Sequence, residues 1–169
     1  YANWGEMVDA ELIRLRMKRA KESDKVVVPP LPNGPQFWDW KVKVAENFMA
    51  ASGLGQIAYQ YILEVEDPTK TGDDFSIVYP QWVSIEAKLS TAVQAVLTGP
   101  MRQEIQRLID KHRAHQIPVM GRWKLWIIHQ HFQRDASLQQ VHAYNDLQTI
   151  KYRANKGYVT FYNDWMTQL

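Results

Sequence analysis

The sequence predicts an all-α fold of about seven or eight helices with no sheet. Apolar residues recur at steps of three and four in most segments, and prolines and glycines separate those segments. No two β-type runs are available to pair, because the VVV stretch at 26–28 leads directly into prolines.

The first helix is expected from Trp4 to Glu22. Trp4, Val8, Leu12 and Leu15 mark one face at spacings of four, four and three. Arg14, Arg16, Lys18, Arg19 and Lys21 crowd its C-terminal end, where cations suit the helix dipole. The stretch VVVPPLPNGP, residues 26–35, carries four prolines and a glycine and cannot continue a helix. It reads as an extended linker, leaving residues 1–25 as a separate arm free to pack on its own chain or on a neighbour.

Pro35 prepares the next helix start. Trp38, Val42, Ala45, Met49 and Ser52 are expected to line its inner face, flanked by Phe37, Val44 and Phe48, and Gly53 is a natural stop. Residues 56–66 make a shorter helix with Ile57, Tyr61 and Val65 inward, and residues 66–74 form a polar loop. Trp82, Ile85, Leu89, Val93 and Val96 follow at steps of three or four. Thr98-Gly99-Pro100 breaks that pattern and opens a helix striped by Met101, Ile105, Leu108, Ile109 and His112.

After Pro118 and Gly121 comes GRWKLWIIHQHFQ, residues 121–133. At 100° per residue, Leu125, Ile128, His129 and Phe132 share one arc, Trp123, Trp126 and Ile127 another, and Lys124 and His131 a polar slice. A helix apolar on most sides is a central helix. Ser137 is placed to cap a further helix running to about residue 154, with Leu138, Val141, Tyr144, Leu147 and Ile150 inward and a bend near Asn145. A turn at residues 155–157 precedes Tyr158, Phe161, Tyr162, Trp165 and Leu169, a clear helical stripe. The expected structural core is Trp38, Trp82, Leu89, Leu125, Trp126, Ile128, Phe132, Phe161 and Trp165.

Hydrophobic residues make up 46% of the 169 and can build a core. The absence of cysteine excludes disulfides, zinc fingers, Fe–S clusters and thiol nucleophiles. No apolar run reaches the roughly 18 residues of a membrane span, and no signal peptide is visible. The chain lacks an initiator Met and stops inside an apolar pattern, so it reads as a piece of a longer polypeptide. Net charge is +2, distributed unevenly. Residues 26–75 hold three basic and seven acidic side chains, whereas residues 76–169 hold eleven and six. The basic half could favour a polyanion, although an ordinary mixed surface explains it as well.

His129 and His131 are the first candidates for chemistry. On a helix their rings point about 200° apart and cannot share one metal ion. His112 and His115 have helical spacing but no third ligand at a matching interval. No H-E-x-x-H, Walker, G-x-G-x-x-G or G-x-S-x-G pattern occurs, and Glu64 and Glu66 fall on different helix faces. These readings point away from an enzyme, and no catalytic, metal or cofactor-binding residue and no cofactor is expected. The run RLRMKRAK, residues 14–21, is basic enough to touch phosphates.

The second half carries a resemblance. Trp82, Ile85 and Leu89 head an apolar helix to Leu97; GRWKLWIIHQHF follows, then LQTIKYRANKGYVTFYNDWMTQL. Together with LPNGPQFWDWKVKVAENFMAASG, this is similar to the Gag polypeptide of Ty1/copia-type LTR retrotransposons. Leu147, Ile150, Lys151, Val159, Tyr162, Trp165 or Met166, and Leu169 fill its last motif. The likeness spans about residues 31–169 and rests mostly on packing positions. It departs at Trp126, whose aromatic spacing is off by one while Leu125, Ile128 and Phe132 hold the register. The strict Q-G-x-x-E motif of retroviral capsids is also absent.

The resemblance implies retroviral-capsid-like helical lobes: an arm over 1–25, a linker over 26–35, an N-terminal lobe over 36–135 and the start of a C-terminal lobe over 136–169. It implies a structural protein that self-assembles into a virus-like particle enclosing retroelement RNA, in the cytoplasm, with no membrane partner. The partner would be the chain itself, with RNA held mainly through segments beyond this sequence. Trp4, Val8, Leu12 and Leu15 are then candidates for oligomerisation, and Arg14, Arg16, Lys18 and Arg19 for RNA contact. The alternative is a helical protein-binding adaptor, a domesticated Gag-like domain that forms no shell.

Overall fold

The computed structural model describes residues 21–149 and 157–167, with side chains for 21–145 and 162–167. Six α-helices occur among the described residues, and no strand does. They are α1 (Phe37–Ser52), α2 (Gln56–Leu63), α3 (Val83–Val96), α4 (Gly99–Arg113), α5 (Gly121–Thr149) and α6 (Gly157–Met166). Short 3-10 turns at Gly34–Gln36, Glu64–Glu66, Gly72–Phe75 and Pro80–Trp82 join or lead into them. No helix among the described residues is long and apolar enough to cross a membrane. The chain forms two compact units, residues 1–130 and 131–169, with the division inside α5.

The punctuation acts where the sequence puts it. Gly53 takes the left-handed conformation (φ 69°) that ends α1, a backbone position that costs other residues a Cβ clash. Pro100 occupies the first turn of α4, where a missing N–H leaves no hydrogen bond unmade.

The face that α1 buries differs from the expected one. Trp40, Val44, Phe48 and Ala51 point inward with Ala45 and Ser52, whereas Trp38 is 65% exposed and is not a core residue. The spacing 40-44-48 runs straight along one side of the helix. The Trp40 indole N–H also finds an acceptor, the Pro29 carbonyl at 3.0 Å. Trp38 instead lies under the Lys41 ammonium, 4.2 Å from its ring centroid.

That Pro29 contact belongs to a larger correction. Residues 26–35 are extended before the turn at Gly34, but they do not hang free: their first part is strapped along α1. Ser23 N donates to Ala51 O (2.8 Å), Asn47 Nδ2 to Val27 O (3.0 Å) and Trp40 Nε1 to Pro29 O. The partners run in opposite order on the two segments, so the strap is antiparallel to the helix, with Val26 and Val28 buried beneath it. Lys88 of α3 fastens its start by binding the Glu22 carboxylate and the Ser23 carbonyl, and Ser84 Oγ donates to the same carboxylate at 2.7 Å. The alternating valines supply the reason: one side of an extended chain can be buried while the other stays wet.

The core of the first unit is made by Val44, Phe48, Ile62, Trp82, Ile85, Leu89, Val93, Ile105, Leu125 and Ile128, all buried. α5 enters it with Gly121–Leu125 and Ile127–His129 buried on every side, and Trp126 half-buried. Lys124, expected on a polar slice, is only 6% exposed, and its ammonium reaches the Ser90 carbonyl at 3.4 Å.

In the second unit, α5 continues through residues 131–149 without a break at Ser137 or Asn145. Ser137 is not an N-cap: its hydroxyl donates to the Gln133 carbonyl one turn back, the bond a serine makes inside a helix. No glycine or proline interrupts residues 122–149, so nothing in the chain forces an end there. Leu138, Val141 and Tyr144 are exposed rather than inward, Phe132 is half-buried, and Trp165 and Met166 of α6 are exposed. Trp165 therefore does not serve as core in this structure. The side chain of Phe161 lies outside the described residues, as do Trp4, Val8, Leu12, Leu15, Arg14, Arg16, Lys18 and Arg19.

Candidate functional site: a buried ion-pair cluster and an apolar groove

Two features of α5 bear on function, one sealed and one open. The sealed one begins with Glu86 of α3, which sits in the apolar stripe between Trp82 and Leu89 and is 0% exposed. A carboxylate so placed must have its oxygens occupied. Arg122 donates Nε to Oε1 (2.7 Å) and its backbone N–H to Oε2 (2.9 Å), and the Tyr61 hydroxyl donates to Oε1 (2.8 Å). Arg122 is the second residue of α5, so Glu86 also caps the helix and sets a negative charge at its positive end.

Arg122, 4% exposed, continues outward to Glu64 Oε2 (2.8 Å) and the Tyr61 carbonyl (3.4 Å). Its guanidinium lies 3.6 Å from the Tyr61 ring centroid, and Trp82 stacks on that ring at 3.9 Å and 10°. Groups this close to one ring occupy its two faces. Burial first, and then the Glu86 charge, push the Tyr61 phenol well above its ordinary 10.0, so it remains a donor. Arg122 thus bridges the buried Glu86 to Glu64 at the surface, and the hydrogen bonds among Tyr61, Glu86 and Arg122 form a structural lock joining α2, α3 and α5.

The open feature is an apolar groove of about 320 Å³ between α4 and α5. The half-buried Leu108 and Trp126 line it above the buried Trp123 and Ile127, with exposed Glu104, Arg107 and Lys111 at its rim. His112 braces Trp123 edge-on (4.6 Å) and lies 3.0 Å from the Leu108 carbonyl through Nδ1. Behind the tryptophans runs the loop 67–75. Thr69 donates to Asp67 Oδ1 from N (2.9 Å) and Oγ1 (2.7 Å), and Thr71 to Asp74 Oδ2 from N (2.6 Å) and Oγ1 (3.1 Å). These bonds hold both aspartates below the ordinary carboxylate range. The loop brings Gly72 so close that a Cβ there would lie 2.8 Å from Trp123 Nε1 and 3.1 Å from Trp126.

The two histidines of H-x-H have separate surroundings. His129 is buried edge-on to Phe37 (5.1 Å), and desolvation lowers its pKa from 6.5 to about 4, with Glu66 opposing the fall and Lys41 adding to it. His131 is half-buried, with Nε2 3.3 Å from Asp135 Oδ2. Among the described residues, no group of three His, Cys, Asp or Glu is placed to hold a metal ion.

Glu86 and Arg122 were not singled out by the sequence. The available signal was a charged residue at an apolar-stripe position and a second at the mouth of the most apolar helix. Comparison with models of protein families, with curated proteins and with solved structures finds no match to this chain.

Proposed function

We propose that this chain is a structural protein that assembles with copies of itself, a Gag-like capsid protein whose shell encloses retroelement RNA in cytoplasmic virus-like particles. The observation that carries the reading is the apolar surface of the second unit. Leu138 and Val141 of α5 are 56% and 54% exposed, and α6 adds exposed Trp165 and Met166. Leu138 and Val141 stand at an i, i+3 spacing of the kind that ordinarily marks a buried face. Covering each on assembly contributes about 1.5–3 kcal/mol, and a closed shell multiplies contacts that are weak singly. The buried cluster agrees with a scaffold role, since its charges are spent on joining helices. The excess of basic residues over 76–169 suits RNA as cargo, with most RNA contacts supplied by segments outside this sequence.

Electron microscopy and sedimentation of the purified protein test this. Closed particles are expected, and Leu138→Asp with Val141→Asp should abolish them without lowering the unfolding midpoint. A monodisperse monomer at high concentration overturns the proposal. The α4–α5 groove favours a second reading, a helical adaptor that holds a peptide, and monomers that bind peptide through the groove would establish it.

A further inference from the structure

We propose that Asn33 is a self-modifying site, where the Gly34 main-chain nitrogen attacks the side-chain amide and converts it to a carboxylate. Asn33-Gly34 is the one Asn-Gly pair in the sequence. It lies where the proline-rich strap turns into α1, with Asn33 heading the 3-10 turn Gly34–Gln36. An asparagine in that position ordinarily turns its side chain onto the backbone as a cap. Asn33 does not, and its amide makes no hydrogen bond among the described residues. The Gly34 N–H has no backbone acceptor. A Cβ added at Gly34 would meet no atom within 4 Å, so the approach is open, and residues 33–35 are all exposed to water. Asn33 is extended (φ −75°, ψ 161°), and rotation about its Cα–C bond carries the Gly34 nitrogen toward Cγ. That rotation breaks a single hydrogen bond, from Gln36 N to Asn33 O (3.0 Å). Asn47 provides the contrast. Its amide donates to the Val27 carbonyl at 3.0 Å, and the next residue is the fully buried Phe48, whose nitrogen lies inside α1.

The chemistry needs only water and hydroxide. The Gly34 nitrogen gives up its proton to hydroxide and bonds to Asn33 Cγ. The amide nitrogen takes up a proton and leaves as ammonia, and a cyclic imide remains. Water then adds to one of the two imide carbonyls. Opening at Cγ gives aspartate with the original main chain. Opening at the main-chain carbonyl gives isoaspartate, in which the chain runs on through Cγ. Either product replaces a neutral amide by a carboxylate, so the net charge falls from +2 to +1. The new charge stands at the entrance to α1, where an anion suits the helix dipole. The strap is tied to α1 at Val27 and Pro29, and α1 begins at Phe37, so the change falls between two anchored parts of the fold. Conversion at Asn33 is independent of shell formation.

The whole chain, aged in the folded state and then digested with trypsin, tests this by mass spectrometry. Trypsin releases residues 26–41 as one peptide, cut after Lys25 and Lys41. That peptide should gain about 1 Da at residue 33, faster at mildly alkaline than at neutral pH, because the attacking nitrogen must lose its proton. Isoaspartate should be among the products, since direct hydrolysis of the amide yields aspartate alone. Gly34→Ala should slow conversion several-fold, because its methyl group crowds the attacking nitrogen. Gly34 does not have a positive φ and its surroundings are open, so this variant keeps the fold, and an unchanged unfolding midpoint verifies that. A peptide that gains no mass at residue 33 overturns the proposal. So does aspartate without isoaspartate, or conversion in Gly34→Ala as fast as in the wild type. Conversion of Asn47 as fast as that of Asn33 overturns it as well.

Discussion

Glu86 and Arg122 meet twice: the carboxylate takes the guanidinium Nε at 2.7 Å on one oxygen and the Arg122 backbone N–H at 2.9 Å on the other. One side chain thereby neutralises a buried cation and caps the helix that carries it. The two roles are inseparable, so a change to either residue disturbs both the ion pair and the start of α5.

Removing Arg122 leaves the Glu86 carboxylate buried without a cation, and removing Glu86 leaves the buried Arg122 Nε and the α5 N-terminus without their acceptor, with only Glu64 still paired to the guanidinium. Glu86→Gln and Arg122→Met should each destabilise the fold by about 3–5 kcal/mol in urea unfolding. The double variant Glu86→Met with Arg122→Met should cost less than the sum of the singles. Additive costs would show that the two groups do not act as a pair.

Tyr61→Phe keeps the ring stacked on Trp82 but deletes the donor to Glu86, and about 1.5–3 kcal/mol should be lost. The wild-type phenol also has a raised pKa, so the sign is fixed: its contribution is complete below the unfolded value of 10.0 and declines as pH rises above it. Alkaline unfolding followed by tyrosinate absorbance should show one phenol that ionises only as the fold opens.

His129 works in the opposite direction. Its folded pKa of about 4 lies below the ordinary 6.5, so burial favours the neutral ring. Stability is complete above 6.5 and falls as pH drops from 6.5 toward 4, by roughly 3 kcal/mol at most. Unfolding midpoints between pH 7 and pH 4 should show this slope in the wild type and a flatter one in His129→Leu.

Gly121 begins α5 against Leu89. A Cβ there would sit 2.6 Å from Leu89 Cγ, so Gly121→Ala should cost about 1–3 kcal/mol by overpacking. Leu89→Ala is itself destabilising, but in its presence the alanine substitution at 121 should cost little. A full penalty in both backgrounds would place the constraint in the backbone instead.

The two tryptophans of the groove should separate in size. Trp123 is buried and Trp126 half-buried, so Trp123→Ala should cost about 3–5 kcal/mol and Trp126→Ala clearly less. Thermal unfolding of the two variants decides this.

The helical class and most helix limits were legible in the amino-acid order. Periodicity of three and four is a local property, and Gly53, Pro100 and Gly121 punctuate the chain through their own backbone constraints. The burial of the segment beginning at Gly121 was legible too, because apolar residues surround it. Which of two neighbouring tryptophans enters the core was settled only on folding. Trp38 and Trp40 are equally apolar, and the choice depends on the Pro29 carbonyl eleven residues away. The strap and the Glu86–Arg122 pair were hidden for the same reason. A proline-rich stretch or a lone charge in an apolar stripe becomes structural only when a partner distant in sequence supplies the matching hydrogen bond, and that distance is closed by folding.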